Sequence, residues 1–89
     1  MAKKRRKLNK DFERKIYSSK KNVELVLAKI YDIDDEDIQK EYMTSFNGVV
    51  ILYDELKEDY GQKGFNDNSE ELLTNYKNAF NLFESEFEI

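Results

Sequence analysis

Ile38, Tyr42, Phe46, Val49, Tyr53, Leu56 and Tyr60 follow one another at steps of three or four residues. At ~100° per residue the seven side chains fall inside a sector of about 120°, the pattern of a helix with one buried face. Lys40, Asn47, Asp54 and Glu58 fall on the opposite side. With no Pro and only three Gly (Gly48, Gly61 and Gly64), little in the chain interrupts long helices. One local signal points elsewhere. Asn47-Gly48 sits between apolar runs, and such a pair favours a two-residue β-hairpin because both turn positions need positive φ. The hairpin accounts for about a dozen residues, the helical stripe for about twice as many. The spacing therefore predicts a helix over 35–60 with Gly48 inside it, at a cost of ~1 kcal/mol relative to Ala. An α+β fold turning at Asn47-Gly48 is the alternative. Asp34 is placed to cap the start of this helix, and Asp35, Glu36 and Asp37 lie in its first turn, against the positive end of the dipole. Gly61 is placed to end it.

Two further stripes obey the same rule. Leu8, Phe12, Ile16, Ser19, Val23, Val26, Leu27 and Ile30 predict a first helix over 9–32, with Asn9 as its cap. Leu72, Leu73, Tyr76, Ala79, Phe80, Phe83 and Phe87 predict a third over 69–87, where Asn68 and Glu71 resemble a capping box. Short connections make neighbouring helices antiparallel, and the third is expected to pack across both of the others. The expected architecture is an all-α, three-helix antiparallel bundle: residues 9–89 form one helical domain and residues 1–8 a flexible basic arm. Most aromatics are thereby assigned to the core rather than to ligand stacking.

Composition narrows the chemistry. The 89 residues include no Cys and no His, which removes disulfides, thiolate sites and the side chain most used for proton transfer and transition-metal binding. No Ser or Thr has an evident neighbouring base, and no glycine-rich phosphate loop is present. No enzymatic activity, cofactor or metal is expected. The basic start is followed by polar sequence rather than an apolar signal segment, and no stretch approaches the ~20 apolar residues of a membrane span, so a soluble, cytoplasmic protein is expected.

The net charge of −4 conceals a division. Residues 1–22 hold ten Lys/Arg against two acids, and residues 23–89 hold five Lys against seventeen acids. Lys3, Lys4, Arg5, Arg6 and Lys7, continued by Lys10 and Arg14, could contact phosphates in a sequence-blind, salt-dependent way. Asp34, Asp35, Glu36, Asp37, Glu41, Asp54, Glu55, Glu58 and Asp59 form an acidic surface suited to a cationic partner. Met43, Val50 and Ile51 lie off the core stripe and are candidate apolar anchors. A calcium loop starting at Asp32 fails, because Asp37 stands where Gly is required and Met43 where a bidentate Glu belongs. The terminal "NLFESEFEI" puts three acids at a helix carboxyl end, against the dipole, and is expected to fray.

These features predict a non-enzymatic regulator or inhibitor of a basic partner protein, plausibly one that handles nucleic acid, in the manner of a phage or mobile-element accessory protein. Two other expectations stand beside it. One is a nucleic-acid binder that uses the basic arm, as a monomer or a homodimer; the other is a structural component of an assembly.

Overall fold

The computed structural model describes residues 7–89 as an all-α bundle of three helices: α1 (Lys10–Tyr31), α2 (Glu36–Lys63) and α3 (Asp67–Glu86). At 1.5 Å per residue they are about 33, 42 and 30 Å long. The helix runs straight through Asn47-Gly48, and among the described residues no strand forms. A Cβ at Gly48 would meet no atom within 4 Å, so this glycine is simply carried on the exposed side of α2.

The stripes zip together as spaced. Val26, Ile30, Phe46 and Leu56 are fully excluded from solvent, joined by Phe12, Val23, Val49, Tyr53, Tyr60, Leu73, Tyr76, Phe80 and Phe83. Phe46 meets the edges of Phe80 and Phe83, and Tyr76 stacks on Phe80. Such offset and edge contacts add about 0.5–1.5 kcal/mol per pair beyond burial. The ends of the stripes emerge from the core: Leu8 and Ile38 are exposed. α2 is the spine, packing most extensively on α3 and less on α1. α3 packs on both helices as expected, its Tyr76 hydroxyl donating to the Ser19 carbonyl of α1 at 3.3 Å, but it meets α1 only sparingly and lies chiefly along α2.

The helix ends are where the structure departs from the spacing. Asn9 caps α1 as expected, accepting from the Phe12 N–H at 3.0 Å. At the start of α2 the cap is Asp35, not Asp34: Asp35 is extended, and its carboxylate accepts from the Asp37 and Ile38 N–H groups. Gln39 closes the other side of this connector, its amide donating to the carbonyls of Ile30 and Tyr31 at 3.2 and 3.1 Å. α2 continues past Gly61, where an added Cβ would find space, and stops at Gly64. Gly64 has φ 78° and ψ −161°, a backbone region essentially closed to other residues. Asn66 then caps α3 in a reciprocal box with Ser69, two residues earlier than the Asn68–Glu71 pair expected from sequence. The carboxyl end of α3, where three acids oppose the dipole, is closed by a cap. Phe87 and Ile89 pack on the core, Glu88 turns into the left-handed region (φ 57°), and the Ile89 N–H donates to the Glu84 carbonyl at 3.0 Å. This is the six-to-one bond of a Schellman closure, with an apolar residue just past the turn.

Candidate interaction surface

Carboxylates that could meet a partner are those the fold leaves without donors. On α2, Glu36, Asp37, Glu41, Asp54, Glu55 and Glu58 are exposed, with Asp34 in the preceding connector. Among the described residues none of these lies within 4 Å of a Lys or Arg nitrogen, since the ion pairs found are Arg14–Asp11 and Lys63–Asp59. Glu58 accepts only from the Gln62 amide, one turn along the helix. The strip is not continuous: between Glu41 and Asp54 its outer side carries Thr44, Asn47, Gly48 and Ile51.

Two of the expected acidic contacts are used inside the molecule instead. Asp35 is occupied as the α2 cap while remaining exposed. Asp59 is only 8% exposed at its side chain, and it accepts from Asn66 Nδ2 at 3.1 Å and Asn68 Nδ2 at 3.2 Å, with Lys63 Nζ at 3.4 Å. Burial opposes its ionisation, but the bonds from Asn66, Asn68 and Lys63 outweigh burial and hold the carboxyl below its ordinary value. Of the expected apolar anchors, Ile51 is 48% exposed, whereas Met43 and Val50 are half-buried against the core.

Glu84, Glu86 and Glu88 join the acidic surface only through the fold. α3 runs parallel to α1, so its carboxyl end returns to the α1–α2 connector. The Tyr42 hydroxyl donates to Glu86, and the Tyr42 and Phe87 rings lie 5.3 Å apart. The hydrogen bond to Glu86, with burial and the charges of Glu86 and Glu41, pushes the Tyr42 phenol above its ordinary value. One end of the bundle therefore gathers Asp32, Asp34, Asp35, Glu36, Asp37, Glu41, Glu84, Glu86 and Glu88, against Lys29 and Lys40. The local field there is strongly negative. Periodicity alone could not bring these segments together, because it depends on how far α3 extends along α2.

On the basic side, Lys3, Lys4, Arg5 and Arg6 lie outside the described residues. Lys7 is held to the opposite end of the bundle: its carbonyl accepts from the Phe65 N–H at 2.6 Å, and its ammonium lies 5.7 Å from the Phe65 ring centre. Lys10 and Arg14 are exposed on α1, together with Tyr17, over whose ring Lys21 sits. Among the described residues, no group of acids is arranged to hold a metal ion and no helix is long and apolar enough to cross a membrane. Comparison with protein-family models, curated proteins and solved structures finds no match for this chain.

Proposed function

We propose that this chain is a non-enzymatic binding protein that regulates or inhibits a partner by occupying a cationic surface, of the kind a nucleic-acid-handling protein keeps for phosphates. The observation that carries the reading is the convergence of two acidic segments, 32–41 and 84–88, on one end of a rigid bundle through the Tyr42 contacts with Glu86 and Phe87. Glu36, Asp37 and Glu41 present charge that pairs with no cation among the described residues. Asp54, Glu55 and Glu58 form a second acidic stretch about four to five turns further along α2, and Ile51 supplies an apolar contact between the two. Fixed charge on a stiff scaffold speeds encounter with an oppositely charged site and rejects wrong partners, at little entropic cost.

The test is affinity capture from the source cells with the natural chain and with a variant carrying Glu36→Lys, Glu41→Lys, Asp54→Lys and Glu58→Lys. Asp35 and Asp59 are left intact because both hold the fold. The expected result is a partner retained by the natural chain, released by added duplex DNA and lost from the variant. Equal recovery of the same partner by both chains would overturn the reading.

A further inference from the structure

The sparse meeting of α1 and α3 leaves an open groove between them, on the side of the bundle away from α2. Its main section encloses about 560 Å³ and is walled by Arg14, Lys15 and Asn22 of α1 and by Lys77, Asn81 and Glu84 of α3. A second section of about 410 Å³ continues it toward Asn9, and both sections are lined by Lys15 and Lys77. These two lysines therefore stand on opposite walls where the sections join. Lys77 is the sole cation of α3, a helix with five acids, and it lines the same groove as Lys15. Among the described residues neither lysine has a carboxylate oxygen within 4 Å.

We infer that this groove is a track for the phosphodiester backbone of a single nucleic-acid strand, with Lys15 and Lys77 gripping it from opposite walls and Arg14 extending the contact along α1. Like charges held on facing walls favour an anionic occupant. Ser18, Asn22, Asn81 and Thr74 supply hydroxyl and amide groups of the type that bonds phosphate and sugar oxygens. Carboxylates are not absent: Glu84 lines the main section, and Asp11 and Glu70 the second, so the grip is centred on the junction. An amphipathic helix completing the bundle would need exposed apolar side chains, whereas the main section is rimmed by Arg14, Lys15, Asn22, Lys77 and Asn81 over the buried Tyr76 and Phe80. An acidic peptide would need recesses for its side chains, but Phe12, Tyr76 and Phe80 at the base are at most 4% exposed and closed over. The cations also outrun the two lysines, because Lys7 sits against Phe65, which lines the second section. That continuity suits a strand longer than any pocket. The recognition would be sequence-blind, since the aromatics of the main section, Tyr76 and Phe80, are buried and Phe65 of the second section is covered by the Lys7 ammonium.

The experiment measures anisotropy of a short labelled oligodeoxythymidylate titrated with the full chain across a range of salt. Three proteins are compared: the natural chain, a Lys15→Gln/Lys77→Gln variant, and a chain lacking residues 2–6. Binding by the natural chain is expected to weaken steeply with salt. Loss of two phosphate contacts in the lysine variant should reduce the log–log salt slope by about 1.4. Poly-glutamate of matched charge should fail to displace the oligonucleotide. Both lysines are exposed and make no ion pair among the described residues, so circular dichroism of the variant should match the natural chain. Lys77 separates a groove from a merely basic arm, because it lies on the last helix. The inference is overturned if the natural chain does not bind, if the lysine variant keeps the natural slope while all loss follows the arm, or if poly-glutamate competes as well as unlabelled oligonucleotide.

Discussion

The two connectors of the bundle are both short and both have acids around them, but the two ends use their carboxylates in opposite ways. At the α2–α3 connector Asp59 is enclosed by Asn66, Asn68 and Lys63, and Glu13 receives the Tyr60 hydroxyl at 2.6 Å. Tyr60 in turn accepts from the Asn9 N–H, tying the start of α1 to the end of α2. At the α1–α2 connector Asp34, Glu36, Asp37 and Glu41 accept no hydrogen bond from another side chain among the described residues. One set of charges binds the fold together and the other is left unneutralised. A carboxylate is available to a partner only where the fold provides it with no donor, and that distinction separates Asp59 from Asp54 on the same helix.

The largest effect that could break this contrast is expected at Gly64. Its φ of 78° with ψ −161° is closed to a residue with a Cβ, and the position is buried. Gly64→Ala should cost about 3 kcal/mol, the upper part of the range for such backbone strain. Urea unfolding followed by circular dichroism measures it. A loss under about 1 kcal/mol would mean that the connector relaxes, and that its hydrogen-bond network is not the rigid end described.

Asp59→Ala should come next, at about 1–3 kcal/mol near pH 7, because the Asn66 and Asn68 amides and the Lys63 ammonium lose their shared acceptor. The pH dependence has a definite sign. The folded-state value of this carboxyl lies below its ordinary one, so its stabilising contribution is present above the unfolded value and is lost as pH falls through the folded value. The gap between natural and variant chains should therefore close progressively below about pH 4. A gap that stays constant into acid would show that the contribution of Asp59 does not depend on its charge.

The interiors of the helices were legible in the sequence; their ends and the availability of their charges were less so. Seven apolar residues at helical spacing outweighed the Asn47-Gly48 turn signal because burial along four turns exceeds the cost of one helical glycine. Gly61 and Gly64 look alike in sequence, and only the geometry of the connector determines which must take positive φ. The same holds for Asp34 and Asp35, neighbours of one type of which one caps. The acidic surface was legible as composition, but Asp59 moved out of it once Asn66 and Asn68 were brought close, and Glu84, Glu86 and Glu88 moved in through Tyr42. The groove between α1 and α3 left no signal, because a stripe reports what is buried and not how far apart two helices stand. Lys77 read as an isolated cation until α3 was placed beside α1.

The smallest effect sharpens the contrast from the other side. Asp34→Asn with Glu41→Gln removes two exposed charges from the crowded α1–α2 end without touching the cap at Asp35 or the first-turn acids Glu36 and Asp37. Among the described residues neither side chain makes a hydrogen bond or ion pair, so the change in stability should stay within about 0.5 kcal/mol. Its direction should be stabilising, since like charges at one end repel and neutralising two of them relieves the remainder. The gain should shrink as salt is added, because these charges face solvent and are screened within ~10 Å at 0.1 M. Paired melts at low and moderate salt resolve a difference of this size. A destabilisation of more than about 1 kcal/mol would reveal internal donors to these carboxylates, and the α1–α2 end would then resemble the α2–α3 end, with its acids committed to the fold.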